Sequence, residues 1–257
     1  MRRFGLLVTL AVVVGTAALA ERVPRGPIVI RSDLDFTPEN GVVGGLGLAT
    51  DPYVIAGFRI DAAGTDYGIL ISGTTAPFVI RDVEIQGAQV AGIKIQSAKN
   101  GAIAGAWVRG CLTGVSLFQS QNIRVRETRI DECPDAVRAF FSLDVVLSGL
   151  TIARAQVGVW FGGTTASRLV DSVIIGCDLG ALFELGSEGN MAAGNAFFAC
   201  RIPAKSEGGN RWDDGARGNF WQGFSAPDEN RDGILDRPYR VGLDEDRFPL
   251  ASPPEGA

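Results

Sequence analysis

Residues 91–95 read AGIKI, residues 113–117 read TGVSL, residues 135–139 read DAVRA and residues 157–161 read VGVWF. The same order of a small residue followed by apolar, variable and apolar residues recurs in YGILI at 67–71 and LGALF at 179–183. The small residues are 24 residues apart once and 22 residues apart thereafter. Because apolar and variable residues alternate with period two, each segment is predicted to be a β-strand rather than a helix.

Two further columns keep step with these segments. One is apolar and comprises Ile60, Ile85, Val108, Ile130, Ile152, Ile174 and Phe198. The other is polar, is expected at a turn where amides bond from coil to coil, and comprises Asn100, Asn122, Asp144, Ser167 and Asn190. Several short strands in each repeat of this length indicate a solenoid. We therefore predict an all-β fold, a single-stranded right-handed parallel β-helix with coils of about 22 residues and about seven to nine coils.

The first residues have the pattern of a secretory signal peptide. Arg2 and Arg3 precede an apolar run from Phe4 to Gly15, and Ala18-Leu19-Ala20 is a small-residue cleavage site. The run is shorter than the roughly 18 residues of a membrane span. We predict a signal peptide over 1–20, an N-terminal cap and first coil over 21–57, the repeats over 58–220 and a C-terminal cap over 221–257. The mature chain is expected to be periplasmic or secreted, with no transmembrane segment.

Composition excludes several classes of function. The 257-residue chain contains no histidine, so a histidine-based catalytic triad, metal site or pH switch is ruled out. Without Arg2 and Arg3, 22 basic residues face 29 acidic ones, a net charge of −7. This balance disfavours binding to nucleic acid or to anionic membranes and suits divalent cations.

The four cysteines follow the same repeat. Cys111, Cys133, Cys177 and Cys200 are 22, 44 and 23 residues apart, and Ala155 fills the skipped coil. One interpretation is a buried column of small apolar side chains. The other is two disulfides, Cys111–Cys133 and Cys177–Cys200, which an exported protein can form.

Both ends of the chain carry distinctive motifs. GVVGGLGLATDPYVI occupies 41–55, GNRWD and GNFW begin at 209 and 218, and DENRDGILDRPY occupies 228–239. Together with the coils, these motifs resemble the NosD-like right-handed parallel β-helix family, within the wider carbohydrate-binding and sugar-hydrolase-like β-helix group. The resemblance implies a periplasmic protein that works with a membrane transporter in maturing the copper site of nitrous-oxide reductase. Copper is not expected as a cofactor here, because Met191 is the only soft neutral ligand beside the cysteines in the mature chain.

The acidic segment near the C-terminus predicts a structural Ca²⁺ site. Oxygen ligands at alternate positions can converge on one cation while Gly233 makes the sharp turn, as in the first half of an EF-hand loop. The predicted ligands are Asp228, Asn230, Asp232, the carbonyl of Ile234, and Asp236. Asp244 or Asp246 is expected to complete the shell. The alternative is an acidic surface turn without a cation.

The outward positions of the repeat predict a binding surface. Strand alternation places Lys94, Phe118, Arg138, Phe140 and Trp160 outside the core on neighbouring coils. An exposed aromatic and basic surface of this kind is typical of a contact with a glycan or a partner protein. The alternative is that the C-terminal segment or a second chain covers it.

Catalysis is less favoured by the sequence. Asp131, Glu132 and Asp135, with Arg109 and Arg138 nearby, are the best carboxylate cluster, yet they lie around Pro134 at a turn. We therefore predict an exported, non-catalytic β-helix protein that binds a partner protein or a glycan. The alternatives are a NosD-like accessory protein in periplasmic metalloenzyme maturation and a polysaccharide lyase or hydrolase.

Overall fold

In the computed structural model, which describes residues 22–255, the chain winds through three β-sheets, and most coils give one short strand to each. We name these sheets A, B and C. Sheet A contains, from the N-terminal to the C-terminal end, Val23–Arg25, Phe58–Asp61, Glu84–Gln86, Trp107–Arg109, Arg129–Asp131, Thr151–Ala153, Val173–Ile175, Ala196–Phe198 and Phe220–Trp221.

Sheets B and C have eight strands each. Sheet B contains Ile28–Ile30, Tyr67–Ser72, Ala91–Gln96, Thr113–Phe118, Asp135–Phe140, Val157–Gly162, Leu179–Glu184 and Ile202–Ser206. Sheet C contains Val42–Gly44, Tyr53–Ala56, Phe78–Arg81, Lys99–Ala104, Gln121–Arg126, Leu143–Ser148, Arg168–Val170 and Met191–Ala193. Pairing within the three sheets is parallel except for Val42–Gly44, which is antiparallel to its neighbour.

Two short elements lie outside the sheets: the 3-10 helix Asp33–Asp35 and an antiparallel hairpin formed by Tyr239–Val241 and Asp244–Asp246. With one strand per coil in sheet B, the described residues form about eight coils. The predicted all-β parallel β-helix is confirmed. No helix within residues 22–255 is long and apolar enough to cross a membrane. The predicted signal peptide lies outside the described residues.

The core consists of ladders of apolar side chains that stack from coil to coil. In sheet B, Val115, Val137 and Val159 pair in direct register, and all three are fully buried. Burying successive apolar residues in one column supplies the main stabilisation of such a repeat. One member of the predicted apolar column is wrong: Ile174 pairs with Phe197, which is buried, while Phe198 points outward. The coil from Ile174 to Phe197 is one residue longer than the coil before it, which changes which residue points inward.

The predicted polar column divides into two ladders. Asn100, Asn122 and Asp144 share one turn position with left-handed backbone, and the Asn122 amide donates to Asn100 Oδ1 at 2.8 Å. Ser167 and Asn190 instead lie one position further along the coil, where they are buried. There the Asn190 Oδ1 accepts the backbone N–H of Ser167 at 2.9 Å. The single predicted column is therefore corrected to one exposed and one buried ladder.

Most coils have glycine near the start of their sheet B strand, and one has Ala136 there. A Cβ on Gly114 would lie 2.6 Å from the carbonyl oxygen of Ala136 and 2.5 Å from the Ile130 side chain. These contacts are closer than van der Waals distance, so a larger residue would push neighbouring coils apart. The small-residue column of the sequence thus marks the tight corner before sheet B.

The C-terminal end of the core is closed by stacked aromatic rings. Trp221 lies 4.6 Å from Phe197 on one side and 4.3 Å from Tyr239 on the other, both nearly parallel. We call Phe197, Trp221 and Tyr239 the terminal stack. Its polar tip is satisfied, because the indole N–H of Trp221 donates to Asp246 Oδ2 at 2.8 Å.

Candidate functional site

The outer surface of sheet B brings the predicted surface residues together. Register pairs Phe118 with Phe140, and Arg138 with Trp160, on successive coils. Lys94 stands two coils before Arg138 in the same column, with Ser116 between them. We call the five predicted residues, Lys94, Phe118, Arg138, Phe140 and Trp160, the outer-face patch. All five side chains are partly exposed.

Arg138 is held between two aromatic rings. Its guanidinium carbon lies 4.7 Å from the centre of the Phe140 ring and 5.0 Å from that of Trp160. The two rings meet edge to face at 5.1 Å. Cation–π contacts and an edge-to-face pair orient all three side chains without covering them. This arrangement produces a firm, partly open aromatic surface.

Two acidic side chains complete this part of the surface. Asp135 lies 3.3 Å from Arg138, and Glu184 accepts the indole N–H of Trp160 at 2.9 Å. Burial raises the pKa of Asp135, against the lowering effect of Arg138. Glu184 fixes the orientation of the indole ring, and the sequence analysis did not identify it. The repeat spacing could have indicated Glu184, because it lies two coils beyond Phe140 in the same outward column.

Two glycines and a further aromatic residue were also missed. Phe140 and Phe141 lean over the next coil, where a Cβ on Gly162 or Gly163 would collide with their rings. Phe141 is 58% exposed and meets Phe118 edge to face at 6.0 Å. The glycine pair therefore leaves room for the rings to lie low against the sheet. A pair of consecutive glycines following two consecutive phenylalanines one coil earlier was the sequence signal.

Lys94 forms the N-terminal edge of the patch. Its ammonium group lies 5.3 Å from the centre of the Phe118 ring and donates to the Ser116 hydroxyl at 3.1 Å. Burial, and to a smaller extent the charge of Arg138, lowers the pKa of Lys94. The two cations of the patch are thus close enough to influence one another.

The Asp-rich loop is ordered by its own hydrogen bonds. Asp228 accepts the backbone N–H groups of Asp232 and Gly233, each at 3.1 Å, and Asn230 donates to Asp232 at 2.9 Å. Asp236 accepts the N–H of Glu229 at 2.9 Å, and the N–H of Ile234 is bonded to Asp232. The loop thus draws three of the predicted ligands, Asp228, Asn230 and Asp232, close together. The Ca²⁺ site stays a prediction.

Asp244 and Asp246 do not complete that loop. Asp244 accepts the hydroxyl of Ser206 at 2.6 Å, so it is engaged with the last strand of sheet B. Asp246 is fully buried and accepts the backbone N–H of Asn219 at 2.7 Å besides the indole of Trp221. Burial raises the pKa of Asp246 to about 6. The expected contribution of these two residues to the cation shell is therefore wrong.

The carboxylates around Pro134 separate onto two sheets. Asp131 lies on sheet A, where Arg154 and Arg129 pair with it, and Glu132 also pairs with Arg154, at 3.3 Å. Asp135 belongs instead to the surface of sheet B. Asp131 and Glu132 share Arg154, and Asp135 pairs with Arg138 on another sheet, so the three acids are held by arginines and not opposed across one cleft as in a glycosidase.

The cysteines form one column in the wall, and all four are free thiols in this structure. Hydrogen bonding between Cys177 and Cys200 raises the pKa of Cys177 and lowers that of Cys200 to about 7. Within residues 22–255, no group of three or more His, Cys, Asp or Glu side chains is placed to hold a metal ion. The sulfur of Met191 faces Arg211 Nη2 at 3.7 Å, an unfavourable neighbour for a cationic metal. The expectation that copper is not a cofactor stays a prediction.

The stacked coils define a repeat protein of the parallel β-helix class. The chain belongs to the NosD family, because the family model described as periplasmic copper-binding protein (NosD) matches residues 58–226. That description places the family in the periplasm, which agrees with the expected export. No curated protein is significantly similar to the chain in sequence.

Solved structures with the same fold include three carbohydrate-related proteins. An alginate lyase from Paenibacillus sp. str. FPU-7 is 15% identical, with a TM-score of 0.54 and 76% of each chain covered. DFA-IIIase from Arthrobacter chlorophenolicus A6, without its lid, is 16% identical with a TM-score of 0.53; the match covers 65% of this chain and half of that one. XylC in complex with xylose is 9% identical, with a TM-score of 0.50 over 77% of this chain and 34% of XylC. At these identities the likeness concerns the fold alone.

Proposed function

We propose that this protein binds a glycan on the outer-face patch of sheet B and does not cleave it. The observation that carries the proposal is the placement of Arg138 between the partly open rings of Phe140 and Trp160. Sugar rings offer C–H faces to aromatic rings and hydroxyl groups to charged side chains. The patch supplies both kinds of partner within one surface.

The dimensions of the patch support a glycan over a protein partner. From Lys94 to Trp160 the column advances three coils, or roughly 14 Å at the usual strand spacing. That length suits about three sugar rings. A stable protein interface buries about 800 Å² on each side, which needs a wider apolar surface than this narrow column.

Binding without cleavage is supported by the partners of the two acids. Asp135 faces Arg138, and Glu184 is bonded to Trp160, so each has a positioning role. Glycoside hydrolysis requires two carboxyl groups that face each other across the scissile bond. Elimination has a different requirement, a base beside a group that neutralises the uronate carboxylate, and Asp135 beside Arg138 could meet it.

A second candidate function is a polysaccharide lyase or hydrolase. The raised pKa of Asp135 favours it, because a partly buried acid next to an arginine can serve as a proton donor. The carbohydrate-active proteins of the same fold give it analogy only. Incubation with uronate-containing and fructose-containing polymers, followed by reducing-end and ultraviolet assays, is expected to yield no product. If the wild type forms product and Asp135→Asn does not, the protein is an enzyme and the proposal of binding without cleavage is wrong.

The direct test compares two tryptophans with similar surroundings. Trp107, on the outer side of sheet A, also lies between arginines, 4.9 Å from Arg109 and 5.5 Å from Arg129. Glycans that bind the mature chain on an array would be measured by calorimetry against Trp160→Ala and Trp107→Ala. Trp160→Ala is expected to lose at least about 2 kcal/mol of binding free energy, since aromatic anchors beside arginine carry most of a contact.

Trp107→Ala serves as the matched control and is expected to bind like the wild type. Equal losses in the two variants would show that the outer-face patch is not the binding surface. If the mature chain binds no glycan but captures a protein, and the capture is lost in Trp160→Ala, the outer-face patch binds a protein partner instead.

A further inference from the structure

The outer-face patch contains a cation without an acidic partner. Within residues 22–255, no carboxylate lies within ion-pair distance of the Lys94 ammonium group, which donates to Ser116 and faces the Phe118 ring. Lys94 is nevertheless partly buried. A partly desolvated charge without a counter-ion is costly, and an arriving anion would relieve that cost.

Arg138 follows Ser116 on the next coil of the same outward column. Strand register places Lys94, Ser116 and Arg138 at consecutive positions of one outward column, so the two cations flank the serine. The charge of Arg138 contributes to the lowered pKa of Lys94, which agrees with their closeness.

The acids of the surface lie elsewhere. Asp135 stands at the start of the strand that carries Arg138 and pairs with that arginine. Glu184 lies two coils beyond Phe140 and is bonded to Trp160. Neither forms an ion pair with Lys94. The positive end of the patch is therefore the end at Lys94, and the aromatic rings of Phe118 and Phe140 border it.

We infer that Lys94, Ser116 and Arg138 form a subsite for the anionic group of an acidic sugar, a uronate carboxylate or a sulfate. This inference rests on the proposed function and specifies its ligand class. The ammonium and guanidinium groups donate charge-assisted hydrogen bonds to the anion, the serine hydroxyl donates a third, and the sugar ring packs on Phe118. A neutral glycan would leave Lys94 without its counter-ion.

The test uses one oligosaccharide in two forms. A polyuronate hexasaccharide and the same hexasaccharide with its carboxylates reduced to alcohols would be titrated into the wild-type mature chain at a single salt concentration. The acidic form is expected to bind about tenfold more tightly, as one charge-assisted contact provides. A sulfated hexasaccharide forms a third arm, and the tighter of the two anions identifies the group.

Three variants locate the effect. Lys94→Gln is expected to remove the tenfold preference, read as the ratio of the two affinities within that variant, and Lys94→Arg is expected to retain most of it. Lys205→Gln is the matched control, since Lys205 occupies the same outward column three coils beyond Arg138. It should keep the full preference.

The outcomes separate this inference from the proposed function. If the acidic and reduced forms bind equally and both depend on Trp160, the glycan site stands and the anionic subsite is overturned. If Lys94→Gln and Lys205→Gln reduce the preference equally, the acidic glycan is attracted by the overall positive charge of the surface, and the subsite is overturned. If no form binds the wild type, the proposed function itself fails.

Discussion

The outer-face patch and the terminal stack use the same kinds of side chain for different purposes. In the terminal stack, Trp221 is buried between two parallel rings and its N–H is bonded to a buried carboxylate. In the outer-face patch, Trp160 is partly open, and its N–H is bonded to the partly exposed Glu184. Covered rings contribute to folding, whereas open rings leave their apolar faces in water until something binds them. The comparison teaches that coverage, rather than residue type, separates a closing element from a binding surface.

The largest expected effect is on stability at the terminal stack. Trp221→Ala should lower the free energy of unfolding by about 3–5 kcal/mol, because it leaves a cavity between Phe197 and Tyr239. Phe140→Ala in the outer-face patch should cost less than about 1 kcal/mol, since its ring is already partly hydrated. Urea unfolding measures both. Comparable losses would mean that the patch is part of the folding core.

The pH dependence of stability should come from the terminal stack as well. Burial raises the pKa of Asp246 to about 6, above its ordinary value. Between about pH 4 and 6 the unfolded chain ionises this carboxyl while the folded chain keeps its proton, so unfolding releases a proton. The free energy of unfolding is then expected to fall by about 2–3 kcal/mol as pH rises through this window, and to change no further above it.

Two variants test the origin of that slope. Asp246→Asn should flatten it, whatever its effect on absolute stability, because no titrating group remains at that position. Asp244→Asn, in the same hairpin strand, should retain it. A slope that survives in Asp246→Asn would place the titrating group elsewhere.

A smaller effect is expected from Ca²⁺ on the end of the molecule that carries the terminal stack. If the Asp-rich loop binds the ion only when folded, free Ca²⁺ at about ten times its Kd should add about 1.4 kcal/mol of stability. Asp232→Ala should abolish that gain, which differential scanning calorimetry with and without chelator would record. Glycan affinity at the outer-face patch should stay the same in both conditions. A melting temperature insensitive to chelator would leave the loop as a turn.

The smallest expected effect concerns the floor of the outer-face patch. Gly162→Ala should weaken glycan binding by about 1 kcal/mol, because the added Cβ would force the Phe140 ring away from the sheet. Gly44→Ala is a suitable control, since a Cβ there meets nothing within 4 Å. Calorimetric titration of the same glycan into both variants decides the point. Unaltered binding by Gly162→Ala would show that the ring position is unimportant.

Much of the fold could be predicted from the sequence because the repeat spacing fixes which residues stack. The inward valines of sheet B and the outward order Lys94, Ser116, Arg138 and Trp160 follow directly from that spacing. The error at Phe198 arose where the coil gains one residue, so that Ile174 pairs with Phe197. At Ser167 the coil length is unchanged, and the polar side chain lies one position beyond the Asn100 ladder, on the inner side of the strand.

The site could be predicted only in part. Strand alternation places a side chain inside or outside, but the direction in which a long side chain turns depends on its neighbours. For this reason the bond from Trp160 to Glu184 and the burial of Asp246 were missed. Burial of a charged residue is seldom predictable from sequence, because it depends on donors supplied by distant segments, here Asn219 and Trp221.

The hairpin at the C-terminal end also determines how long the molecule is. A stack of parallel coils would otherwise offer its last strands as templates for another chain, and end-to-end polymerisation would follow. Here the N–H of Leu243 bonds to the carbonyl of Ser206, so the hairpin occupies part of the exposed edge of sheet B. Antiparallel strands in the hairpin do not continue the parallel ladder. The C-terminal edge of sheet B therefore offers another chain fewer unpaired backbone groups than a bare parallel strand would.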